Sequence, residues 1–178
     1  DESGMVTGFD AYFFADFGRA IEIAAQNNIY LIPVLWNFHL ADAETEENGV
    51  KLGGRVEVIA DKQVKQSFID NALLPLLERY GQNPTIIAWD VMNEPEGAIN
   101  LPGANWVAEA VPPNQMQDFV SEIGAAIRAH TTQLVTLGSA SRAWLPLWQD
   151  SNLDFYQFHY YDHMEEQYPL DFAASALN

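Results

Sequence analysis

Apolar residues along the 178-residue chain fall into two alternating periods, one near 3.6 and one typical of buried strands. Phe14, Phe17, Ile21 and Ala24 recur at helical spacing and predict a helix within Phe9 to Asn27, which the Asn27-Asn28 pair stops. Ile29 to Trp36 is an apolar run of strand length, and Pro33 inside it removes a ladder donor, so the register is open there. Asp61 is placed to start the next helix, in which Val64, Phe68, Ala72, Leu76 and Tyr80 form one stripe that Leu73 and Leu77 widen. Pro75 predicts a kink in it. A β-type run from Thr85 to Val91 follows, then a helix from about Asn114 to His130 with Met116, Phe119, Ile123 and Ile127 on its inner face. Short strands are expected at Gln133 to Leu137 and Phe155 to Tyr160. The acidic stretch Ala41 to Gly54, with Asn48-Gly49 and Gly53-Gly54, reads as a long loop, as does Glu96 to Pro112, and Gly138 to Asn152 has room for little regular helix. Strands alternating with helices predict an α/β fold with a parallel sheet and functional residues at the strands' C-terminal ends.

Composition narrows the chemistry. A hydrophobic fraction of 48% with 12% aromatics is ample for the core of one domain spanning residues 1–178. Eight Lys and Arg against 25 Asp and Glu give a net charge of −17, which repels nucleic acid and anionic membranes. The acidity fits a neutral ligand such as a glycan and equally the solvated surface of a protein from a salty environment. There are no cysteines, so neither disulfides nor thiolate metal sites enter the picture, and no apolar run reaches the roughly 18 residues of a membrane span. The start, Asp1-Glu2-Ser3-Gly4, looks processed or engineered and carries no information on export.

The run from Thr85 to Glu96 ends in an amide, a carboxylate and a proline. Ile86, Ile87, Ala88 and Val91 suit a strand covered on both faces, while Asn93 and Glu94 come where it leaves the core and Pro95 ends the ladder. Glu94 is thus a candidate catalytic acid, although Asn-Glu-Pro alone also reads as a polar turn. Four residues earlier, Asp90 should point to the same side of the strand as Glu94, and a buried aspartate needs a partner. His39, His159 and Tyr161 sit at strand ends and fit either sugar contacts or ordinary structural roles. Trp144 and Trp148, with Arg142 beside them, fit either stacking on sugar rings or capping of the core, the second more for Trp148. His159, His163, Glu165 and Glu166 do not have the spacing of a metal-binding helix, so no metal or other cofactor is expected.

Trp89-Asp-Val-Met-Asn-Glu-Pro95 resembles the fourth-strand signature of the family 5 glycoside hydrolases and their clan A relatives, which are cellulase- or mannanase-like enzymes. Ile29 to Trp36 with Asn37-Phe38-His39 resembles their third strand, and Phe155 to Tyr161 their sixth with its His-x-Tyr pair. Three motifs in family order imply a partial TIM (β/α)8 barrel of about four βα units, because a full barrel takes about 250 residues. The resemblance implies β-linked polysaccharide or oligosaccharide as substrate and retaining chemistry, with Glu94 as acid/base and Asn93 on the sugar 2-hydroxyl. The acid role needs a carboxyl that keeps its proton, which apolar walls such as Trp36 and Trp144 favour by penalising the charged form. His39, His159 and Tyr161 are implied around the substrate. In the family an arginine on strand two commonly partners the residue at Asp90, and the nucleophilic glutamate lies on strand seven; both strands are expected to fall outside this chain, with Glu165 and Glu166 as weak stand-ins for the nucleophile.

Two readings follow: a retaining endo-β-glycanase-like hydrolase, or a non-catalytic half-barrel that binds glycan or assembles with a second copy or a complementary segment. The second predicts open sheet edges at Ile29 to Trp36 and Phe155 to Tyr160, and inward residues Ile32, Val34 and Ile86 without a covering half. An extracellular or secreted location is the expectation.

Overall fold

The computed structural model describes residues 4–161. His163, Glu165 and Glu166, considered above as metal ligands or a nucleophile, lie outside the described residues. Helix α1 (Phe13–Gln26) is entered through Asp10, whose carboxylate accepts the backbone N–H groups of Tyr12 and Phe13. It buries Ile21 and Ala24 and stops at Asn28, which takes a left-handed φ of 57°. Phe14 and Phe17 pack on Tyr80, whose hydroxyl donates to the Phe14 carbonyl and ties α1 to the second helical segment.

The predicted strand from Ile29 to Trp36 is present only as separate parallel bridges, Leu31 to Ile86, Val34 to Asp90 and Asn37 to Asn93. Pro33 is the cause. Between the first two bridges three residues on one segment face four on the other, so the alternation slips by one. This corrects the placement of Ile86, which is 2% exposed and sits in the core, whereas Ile87 is 43% exposed. After a 3-10 turn at Phe38–Ala41, the stretch read as a long loop contains a hairpin, β1 (Thr45–Glu47) with β2 (Val50–Leu52). Asn48 and Gly49 both have positive φ, 52° and 78°, which is the two-residue turn that matches strand twist.

A short α2 (Glu57–Ala60) leads to α3 (Lys62–Phe68), which Asp61 caps by accepting from the Gln63 and Val64 N–H groups. The expected kink at Pro75 takes the form of a π turn over Ile69–Leu73 before α4 (Leu74–Tyr80). Proline has no N–H to give the carbonyl four residues back, and the wider turn absorbs the mismatch. Val64, Phe68, Ala72, Leu73, Leu76, Leu77 and Tyr80 are all buried, as their stripe predicted. Strand β3 (Ala88–Asn93), helix α5 (Pro113–His130) and strand β4 (Leu134–Ser139) follow, and Met116, Phe119, Ile123 and Ile127 of α5 are fully buried against β3 and β4. A 3-10 turn at Arg142–Trp148 joins β4 to the short β5 (Gln157–Phe158).

The sheet order is the 31–37 segment, β3, β4, β5, all parallel, with helices supplying the core on one side. Gln133 closes its lower end: its amide donates to the Asn83 and Ile86 carbonyls while its oxygen accepts from Trp89 Nε1 at 2.6 Å. At the upper end β3 carries a bulge. Asp90 pairs with Thr136 but Asn93 with Gly138, three residues against two. The row Asn37, Asn93, Gly138, Gln157 therefore runs across all four segments at their C-terminal ends. The other face of the sheet stays open, with Ile32 37% and Val34 51% exposed.

Candidate active site

Glu94 is the residue at which β3 leaves the sheet. Its N–H donates to the Gly138 carbonyl at 2.6 Å, and its backbone takes the left-handed conformation, φ 48° and ψ 54°. A non-glycine residue held there costs roughly 1–3 kcal/mol and persists where its surroundings fix it. The carboxyl Oε1 lies 2.5 Å from His159 Nδ1, and one proton sits in that contact, on oxygen or on nitrogen. Both side chains are largely covered, 16% exposed for Glu94 and 31% for His159. His159 is delivered by the neighbouring segment, where its N–H donates to the Ser139 carbonyl.

Asp90 lies below this pair. It is 4% exposed, and its Oδ1 accepts the N–H groups of Met92 and Gly138 while Oδ2 accepts from Gln157 Nε2 at 2.6 Å. Its partners are thus neighbours on β3, β4 and β5, which answers the question that the missing arginine left open. Burial pushes its carboxyl up to about 6; the N–H donors of Gly138 and Met92, the nearby His159 and then Gln157 only partly oppose that. The even spacing from Asp90 to Glu94 does not carry the side-chain alternation through, because the bulge intervenes, yet both carboxyls address His159. Gly138 makes this possible. A Cβ there would lie 2.9 Å from Asp90 Oδ2 and 3.4 Å from His159 Nε2.

Asn93 is half-buried, donates its N–H to the Trp36 carbonyl and lines a cleft of about 480 Å³ with Val34, Leu35, Trp36 and Asn37. Trp36 packs edge-on against Phe68, and its Nε1 is buried without a hydrogen-bond partner among the described residues. A larger cavity of about 770 Å³ lies on the other side of Trp36, against Glu44, Lys51 and Arg55, away from the carboxyls. The smaller cleft is the one that contains Asn93, the neighbour of Glu94. His39 lies in the Phe38–Ala41 turn and does not line this cleft: its Nδ1 is 2.6 Å from Asp42 Oδ2 and the side chain is 63% exposed. Tyr161 is 52% exposed. Trp144 is half-buried with its ring against Gly103, and Trp148 is fully buried, the capping role weighed for it from the sequence.

Sequence reasoning missed two residues. Glu96 is wholly buried and accepts from Ser139 Oγ, the Ala140 N–H and Trp148 Nε1. Trp106 is 48% exposed and meets Phe38 edge-to-face at 5.4 Å, with Gly97 beneath them both; a Cβ on Gly97 would come within 2.6 Å of Phe38 and 2.8 Å of Trp106. The only sequence signals were a second carboxylate beside the Asn-Glu-Pro turn and a lone tryptophan in a Gly- and Pro-bearing loop.

Parallel strands that gather a carboxyl, an imidazole and aromatic side chains at their C-terminal ends define part of a (β/α)8-type barrel. The chain belongs to the cellulase family, glycosyl hydrolase family 5, whose profile matches residues 3–173. Among its relatives, the mannan endo-1,4-β-mannosidase of Cryptopygus antarcticus is 29% identical over 91% of this chain and 44% of its own length. The corresponding protein of Mytilus edulis is 27% identical over 91% of this chain and 52% of its own. The crystal structure of endo-1,4-β-mannanase from Eisenia fetida superposes with a TM-score of 0.73 at 28% identity, covering 91% of this chain and 53% of that one. The chain thus spans about half the length of the curated relatives it matches, and the fold is a partial (β/α)8 barrel.

Proposed function

We propose that this chain carries the acid/base half of a retaining β-1,4-mannan hydrolase site, with Glu94 as the residue that protonates the leaving glycosidic oxygen. The observation behind this reading is the 2.5 Å contact between Glu94 and His159 at the C-terminal end of β3, in a family 5 fold whose relatives are named for cleavage of β-1,4-mannan. A proton donor of this kind must hold one proton in a fixed place, give it to the leaving oxygen, and later take one from the incoming water. The shared proton with His159 provides such a place. The second carboxylate of a retaining pair belongs roughly 5–5.5 Å from Glu94, on the strand-seven glutamate that the family resemblance assigns to that role.

The 480 Å³ cleft gives the substrate a path. Asn93 beside Glu94 is placed for the 2-hydroxyl of the sugar being cleaved, and Trp36 forms the wall. His39, Tyr161 and Trp144 extend the recognition surface outward as aromatic or hydrogen-bonding contacts for neighbouring sugar units. A neutral glycan needs no cation to hold it, in keeping with a chain of net charge −17.

Reducing-end release from β-1,4-mannan by the protein and by its Glu94→Gln variant, each with the strand-seven glutamate supplied on a complementary barrel segment, tests the assignment. The expected loss is about 10²- to 10⁴-fold, the usual worth of a positioned acid/base, with binding of mannohexaose retained. Release at equal, measurable rates by the two would overturn it. A second reading, in which the chain binds glycan without cleaving it and assembles with a complementary barrel segment, is favoured by the exposed Ile32 and Val34 on the open sheet face. Mannohexaose binding with no release by either protein would favour that reading.

A further inference from the structure

The geometry points to Glu96 as a positioning residue that sets the place and direction of the Glu94 carboxyl. The inference rests on the reading of Glu94 as the proton donor, but the contacts behind it are independent of that reading. Glu96 is 0% exposed and has no cation bonded to it among the described residues. A carboxylate in such a place is tolerated only when donors satisfy it, and three do: Ser139 Oγ at 2.6 Å and Trp148 Nε1 at 2.7 Å on Oε1, and the Ala140 N–H at 3.0 Å on Oε2. An amide offers only one oxygen, so glutamine cannot receive all three. The main chain of Glu96 is pinned as well, its carbonyl accepting from Ile99 and Asn105.

Glu96 is two residues from Glu94, across Pro95, whose ring fixes φ. The link is short and stiff. On its near side the Glu94 N–H is bonded to Gly138, and on its far side Glu96 is bonded to Ser139 and Ala140, the next two residues of the same β4 end. The left-handed turn at Glu94 is thus clamped from both sides onto one strand terminus, while the same terminus receives the His159 N–H through the Ser139 carbonyl. Glu94 and His159 are therefore referenced to one three-residue stretch, and Trp148 extends the clamp to the 142–148 turn. Without Glu96 the loop from 94 to 98 would keep its main-chain bonds to β4 only at Glu94 itself.

The test reads the Glu94–His159 contact directly and does not need turnover. In the 178-residue chain the proton shared across 2.5 Å should give a downfield NMR resonance, assigned by its loss in Glu94→Gln, and the Glu94 Cα and Cβ shifts report the left-handed backbone. Ser139→Ala, Trp148→Phe and Glu96→Gln each disturb part of the clamp and should broaden or remove the resonance and move the Glu94 carbon shifts, leaving those of α1 unchanged. Glu96→Ala should do so completely, with Glu96→Gln restoring part of the signal. Where turnover is measurable, kcat for mannan should fall by up to about 10²-fold, the cost of a misplacement near 1 Å, with KM unchanged. Folded Glu96→Gln and Trp148→Phe proteins that keep the resonance and the Glu94 shifts of the parent would overturn the proposal and leave Glu96 as an anchor for the 139–148 turn alone. Failure to cleave mannan when the strand-seven glutamate is supplied would instead count against the proposed function and not against this clamp.

Discussion

Asp90 is surrounded by donors and is almost wholly shielded from solvent. Burial lifts its carboxyl from the ordinary 3.8 to about 6, so the native chain holds this proton more tightly than the unfolded chain does. Stability from this group is fully present below about pH 4, and it is lost as pH rises through about 6. The ionised form costs on the order of 3 kcal/mol at neutral pH. Thermal unfolding across pH 7 to 4.5 should therefore show the parent gaining stability on acidification relative to Asp90→Asn; parallel curves would contradict the burial argument. At Gly138 the constraint is space, since φ there is ordinary and only the 2.9 Å and 3.4 Å approaches forbid a side chain. Gly138→Ala should cost about 1–3 kcal/mol in urea unfolding and displace His159, read as a change in its ring NMR signals. Sequence inspection singled out Glu94, Asn93 and His159 because their types and spacing are distinctive, and the structure brings Glu94 and His159 into contact. It missed Glu96 and Gly138, whose roles exist only once β3 and β4 are in register.

At the scale of elements, amphipathic stripes were the readable part. The stripe from Val64 to Tyr80 and the inner face of α5 are buried as their spacing predicted, and Asp61 caps where it was placed. Asp61→Ala leaves the Gln63 and Val64 N–H groups unpaired and should lower stability by about 1 kcal/mol, measured by urea unfolding with an unchanged slope. What spacing could not give were the departures from regular period: the slip at Pro33, the π turn before Pro75 and the bulge between Asp90 and Asn93. Each is one residue of offset. Periodicity averages over many residues and has no sensitivity to a single extra one, whereas a strand's two faces exchange when one is added. The hairpin at Asn48-Gly49 was legible as a turn but not as a pair of strands, because all six of its strand residues are exposed and show no alternation.

For the whole molecule, the open face of the sheet decides behaviour in solution. Ile32, Val34, Ile87 and Leu134 are each more than a third exposed, and such apolar area favours burial at about 25 cal/mol per Å². Light scattering on the 178-residue chain should show a mass that rises with concentration, and Ile32→Lys with Leu134→Lys should reduce that rise; a monomer at all concentrations would mean that the face is shielded. The bulge in β3 has a consequence for how this half-barrel can change over time. Asn93 reaches the cleft, with Glu94 beside it, because one surplus residue shifts the phase of the strand after Asp90. Exchanging one letter for another at 91 or 92 leaves that phase alone, but deleting either would rotate the amide and the carboxyl to the helix side while keeping the Asn-Glu-Pro signature intact. The site is robust to spelling and fragile to length, and two chains could share Asn-Glu-Pro yet differ in the side of the sheet to which it turns.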